Sequence, residues 1–117
     1  MTGTAPTTAW KILSRPDWRR ALAEGAYEGS PVDRADGYIH LSAADQLAAT
    51  AAKHYAGQGD LMLVEVDLTA LGETLIWEPS RGGALFPHIY GPLPVSATRA
   101  ARALSVTDAG EMILSEF

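Results

Sequence analysis

Apolar positions fall into short blocks along this chain, and the spacing inside each block predicts an element. Trp10 to Leu13 is a compact apolar stretch suited to a first strand. Ser14 then reads as an N-cap, with Pro16 in the first turn, Asp17 three residues after the cap and Gly25 as the stop. That helix places Trp18, Ala21 and Leu22 on one face. Residues 29–37 are polar and turn-rich and are expected to be a loop. Tyr38 to Leu41 reads as a short strand, and Ser42 as the cap of a second helix that runs to about Tyr55, with Leu47 and Ala51 at helical spacing. The run Leu61 to Val66 is apolar at nearly every position, which predicts a central strand. Leu75 to Trp77 and Phe86 to Tyr90 are further extended segments. Pro87 inside the second one points to an edge or a strand end. The segment from Val95 to Leu104 suits a closing strand, although its alanines and arginines also permit a helix. Two helices in the N-terminal half and five or six short strands, mostly later, predict an α+β fold and not an alternating βαβ one.

Composition narrows the classes. The length of 117 residues fits one domain, and a 47% hydrophobic content allows a packed core. The expected division is a lead over residues 1–8, a single domain over 9–104 and an extension over 105–117. Without cysteine there is no disulfide, thiolate metal site or cysteine nucleophile, in keeping with a reducing cytoplasm. The uncharged, Thr-rich start does not read as a signal peptide, and no apolar run approaches the roughly 20 residues of a membrane span. Nine basic against fourteen acidic residues give a net charge of −5. That balance disfavours nucleic acid as a partner. No Gly-x-Gly-x-x-Gly and no P-loop is present.

Chemistry concentrates in two extended segments, residues 37–42 and 86–91. Side chains alternate across a strand, so Tyr38, His40 and Ser42 share one face, as do Phe86, His88 and Tyr90. If the two strands are neighbours, both imidazoles converge with two tyrosines and a hydroxyl in one cleft, suited to a flat ligand. Each histidine taken alone has an ordinary structural alternative, a hydrogen bond to backbone. Their matching frames, each flanked by a tyrosine two positions away, favour a joint role. His54, late in a helix, reads as a surface residue. A loop from Trp77 to Gly83 is the third candidate: Trp77 for stacking, Glu78 as a base or ribose contact, Arg81 as an anion clamp, and Gly82 and Gly83 for close backbone approach. Its alternative is a softened loop with a buried Trp. No His-x-His or His-x-x-x-His pair exists, so no metal is expected. A triad of Ser42, His88 and Glu78 can be written, but no Gly-x-Ser-x-Gly elbow supports it.

The segments Asp36-Gly-Tyr-Ile-His-Leu-Ser, Asp60-Leu-Met-Leu-Val-Glu-Val, Trp77-Glu and Arg81-Gly-Gly-Ala-Leu-Phe-Pro-His-Ile-Tyr-Gly-Pro-Leu resemble bacterial domain-of-unknown-function family 952. With Trp10-Lys-Ile-Leu and Trp18 the resemblance covers about residues 9 to 104. It implies a fold similar to the ADP-ribosyltransferase group, with helices on a curved, split, mostly antiparallel sheet and a pocket for NAD. On that likeness His40 corresponds to a ribose-binding histidine, Tyr90 to a stacking tyrosine and Glu78 to the nearest catalytic acid. Lys11 stands where relatives of that group often carry a histidine motif. Two functions follow: an NAD- or nucleotide-using enzyme with His40, His88 and Glu78 as its catalytic groups, or a non-catalytic small-ligand module on the same fold. A histidine-based hydrolase is the third.

Overall fold

The computed structural model describes residues 6–80 and 83–115. Its order is β1 (Thr8–Ser14), α1 (Arg15–Glu24), β2 (Ala26–Tyr27), α2 (Pro31–Asp36), β3 (Ile39–His40) and α3 (Ala44–His54), then β4 (Leu61–Asp67), β5 (Leu75–Pro79), β6 (Leu85–Ile89), β7 (Leu93–Pro94), β8 (Thr98–Val106) and β9 (Met112–Ser115). The strands form three open antiparallel sheets among the described residues: β1-β4-β8-β9, β3-β6-β5 and the pair β2-β7. The architecture is mixed α+β.

Strand β4 is apolar from Leu61 to Val64 and again at Val66, and these residues are buried on both of its faces. Leu61 and Leu63 pack with Ile12, Leu47, Ala51, Leu104 and Val106 in the layer under α3. Met62, Val64 and Val66 face the larger core, with Leu13, Trp18, Tyr27, Leu41, Ile89 and Leu93. Helix α1 starts as the sequence predicts, with the Ser14 hydroxyl accepting from the Asp17 N–H. It buries Trp18 and Ala21, whereas Leu22, expected on the same face, is 53% exposed.

Three expectations are corrected, and the strand expected near residues 95–104 is present with a further one beyond it. Residues 29–37 contain α2, capped reciprocally: Ser30 Oγ accepts from the Asp33 N–H and Asp33 Oδ2 from the Ser30 N–H. Ser42 does not cap α3. The N-cap position is Ala43, whose N–H donates to Gln46 Oε1, while Ser42 exchanges backbone bonds with Trp10 and so joins β3 to β1. Pro87 lies in the middle strand of its sheet. The missing N–H falls on the side of β3, which ends at His40, and only the Pro87 carbonyl is used there, accepting from Leu41. Residues 98–106 are extended, and β9 adds a further strand beside them. The register with β4 shifts between Glu65 and Val66, leaving Arg99 to reach Asp67 at 3.2 Å.

The turn into β9 fits closely against α3 at Gly110, which has φ +90. A Cβ there would lie 2.8 Å from the Cβ of Ala52. Gly110→Ala is therefore expected to destabilise the fold by about 1–3 kcal/mol, and an unchanged thermal midpoint would contradict this account.

Candidate functional site

The three-stranded sheet sets the geometry. His40 pairs directly with His88, and Ile39 with Ile89. Opposite residues share a face, so the two isoleucines enter the core while both imidazoles face the other way, with ring centres 5.4 Å apart. Tyr38 stacks on His88 at 4.1 Å and lies 5.2 Å from Tyr90. The junction with β1 brings Lys11 beside them.

Lys11 and Asp33 form the buried base of the site, with an Nζ–Oδ2 distance of 2.9 Å and side chains only 7% and 2% exposed. Asp33 Oδ1 also accepts from the His40 N–H at 3.1 Å and contacts His40 Nδ1 at 2.6 Å. Burial alone would raise its pKa, but the hydrogen bond from His40, the charge of Lys11 and the Ser30 N–H outweigh it and hold the carboxyl well below the usual carboxylate range. Burial pushes Lys11 below its ordinary value, with Asp33 opposing. Lys11 also donates to Asp33 Oδ1 at 3.2 Å and to the His40 carbonyl at 3.0 Å. His40 Nε2 meets Asp36 Oδ2 at 2.9 Å, so a carboxylate stands at each of its ring nitrogens.

A second carboxylate–imidazole pair sits on the neighbouring strands. Glu78 Oε1 is 2.7 Å from His88 Nδ1 and accepts from the Tyr90 hydroxyl at 2.7 Å. Those two bonds hold Glu78 below its usual pKa, and the bond to Glu78, with burial adding to it, pushes Tyr90 up to about 12. His88 is itself buried, at 2% exposure, with Nδ1 engaged by Glu78.

A cavity of about 510 Å³ opens over this arrangement, within the roughly 300–1,000 Å³ range of ligand pockets. Its wall includes Lys11, Asp33, Asp36, Tyr38, His40, Ser42 and His88, and α3 contributes Thr50 and His54. The Ser42 hydroxyl lies 2.9 Å from that of Thr50. Glu78 and Tyr90 stand behind this wall and reach it through His88 and Tyr38. Trp77 packs against the core instead. Glu78 belongs to β5, not to a loop, and Gly83 closes the following turn with its N–H on the Ser80 carbonyl. The expected anion clamp, Arg81, and Gly82 lie outside the described residues. No group of three His, Asp or Glu able to hold a metal occurs among the described residues.

Sequence reasoning passed over Asp33 and Asp36 as site residues and gave Lys11 no partner. Two signals were available: a lysine inside an apolar strand needs a buried counter-charge, and Ser30-Pro-Val-Asp33 is a helix-start pattern.

The family described as "Protein of unknown function (DUF952)" matches residues 12–101. The crystal structure of protein CC0527 from Caulobacter crescentus is similar to this chain, with 50% identity, a TM-score of 0.86 and coverage of 92% of this chain and 94% of that one. The solution structure of CC0527 gives 51% identity, a TM-score of 0.79 and 90% coverage of each. No curated protein matches the chain.

Proposed function

The chain belongs to the DUF952 family, and we propose that it is a cytoplasmic enzyme that binds a nucleotide such as NAD in this cavity and cleaves or transfers its ribosyl group. The observation that carries the reading is the carboxylate-oriented His88 facing His40 at 5.4 Å on the cavity wall. In this reading the bond between ribose and nicotinamide breaks with its electron pair leaving on nicotinamide. Water or an acceptor hydroxyl attacks the sugar carbon, and His88 Nε2 takes its proton. Glu78, bonded to Nδ1, is a positioning residue and not the group that faces the sugar. His40 has both nitrogens committed to carboxylates, which suits binding over proton transfer. The likeness to the ADP-ribosyltransferase fold belongs to the same proposal.

One observation favours a second reading, a non-catalytic small-ligand module. Asp33 and Asp36 engage both His40 nitrogens, and Glu78 is engaged by His88 and Tyr90. Incubation with NAD, following binding heat and nicotinamide release together, separates the two. Release that falls in His40→Ala through weaker binding supports the enzyme, and heat without release supports the module. Absence of both removes NAD from either reading.

A further inference from the structure

We infer that Asp36 occupies the place of a ligand's anionic oxygen, so that the inner end of the cavity is a binding site for a small oxyanion, a carboxylate or a phosphate. The inference rests on reading the cavity as a ligand site but does not depend on NAD.

The two carboxylates that meet His40 are held in very different ways. Asp33 is 2% exposed and is gripped by Lys11, the Ser30 N–H and the His40 backbone as well as the ring. Asp36 has a side chain 45% exposed, and His40 Nε2 is its one side-chain partner among the described residues. A carboxylate only accepts, so the contacts at Nδ1 and Nε2 are both hydrogen bonds when both ring nitrogens carry hydrogen. The ring then presents an N–H at Nε2 to whatever oxygen sits there.

Local structure gives Asp36 no other reason for its position. It is the last residue of α2, followed by Gly37 at φ +91. The C-terminal end of a helix carries partial negative charge and disfavours a carboxylate. Among the described residues only His40 holds this half-exposed side chain inward, and on this inference it swings out to solvent when a ligand arrives. The Lys11–Asp33 pair and the His40 ring would then remain, with Nε2 open to an incoming oxygen. Lys11 is already engaged by both Asp33 oxygens and the His40 carbonyl, so the donor that would meet an incoming oxygen is His40 Nε2, with the ammonium behind it. An oxyanion replacing Asp36 would restore the same contact from the ligand side.

Calorimetric titration of the full chain with inorganic phosphate and with acetate tests this in wild type, Asp36→Ala, Asp36→Asn and the double variant Asp36→Ala/His40→Gln. Removing the competing carboxylate is expected to tighten the binding of at least one anion about tenfold or more in both single variants. The double variant should lose that gain, and the Nε2 nitrogen resonance of His40 should shift as anion is added. Tighter phosphate than acetate binding would identify a phosphate group, and the reverse a carboxylate. Anion affinity that is unchanged or weaker in folded Asp36→Ala and Asp36→Asn overturns the inference and makes Asp36 a structural partner of His40. Failure to release nicotinamide from NAD would leave this result untouched, so the two readings fail separately.

Discussion

Asp33→Ala is expected to lower the unfolding free energy by about 3–5 kcal/mol, the largest single-residue effect in this protein. The substitution leaves the buried Lys11 ammonium without its anion and strands the Ser30 and His40 N–H groups that Asp33 accepts from. Removing one partner of a buried pair is far worse than removing both. Lys11→Met/Asp33→Leu should therefore be milder than the single change, despite altering two residues. Chemical denaturation measures both. A loss below about 1 kcal/mol for Asp33→Ala would mean that water reaches Lys11 and the pair is not a structural anchor. The same carboxylate makes the fold acid-sensitive. Its folded pKa lies below the ordinary value of 3.8, so the folded state binds fewer protons than the unfolded chain. The contribution of Asp33 is complete above 3.8 and is lost as pH falls from there towards the lower folded value. The Asp33→Ala variant should show a flatter acid limb.

The second large effect is on chemistry. His88→Ala is expected to slow nicotinamide release from NAD by about 10²–10⁴-fold, while binding heat persists through the other cavity residues. Glu78→Gln should be milder, because an amide oxygen can still accept from Nδ1–H. What it removes is the charge behind the ring, so its signature is a displaced pH profile of the rate, which a purely structural role would not produce. His88→Ala with a rate within about tenfold of wild type would exclude His88 as the proton acceptor.

That each histidine shares a strand face with a tyrosine was legible in the sequence, and the pairing of the two segments was only a condition. Period-two alternation fixes that Tyr38 and His40 share a face, and likewise His88 and Tyr90, whatever the strands pack against. Alternation says nothing about which strand lies beside which, or in what register. The direct His40–His88 pairing and the bridge from Ser42 to Trp10 supply that. Glu78 was found as a candidate but assigned the wrong position. Its strand face puts it behind His88, a diagonal relation that depends on the β5–β6 register.

The sequence by itself determined the α+β class, the α1 cap at Ser14, the doubly buried β4 and the two histidine segments. Each of these is written in residues that are neighbours along the chain, through side-chain period, capping geometry or apolar density. The Lys11–Asp33–His40–Asp36 network was decided only by the tertiary structure. Its members come from β1, α2 and β3, and their charges become partners only when folding brings those three elements together and withdraws them from water. Burial strengthens the pull between Lys11 and Asp33 and makes an unpaired charge costly, and no local pattern in the chain carries that information.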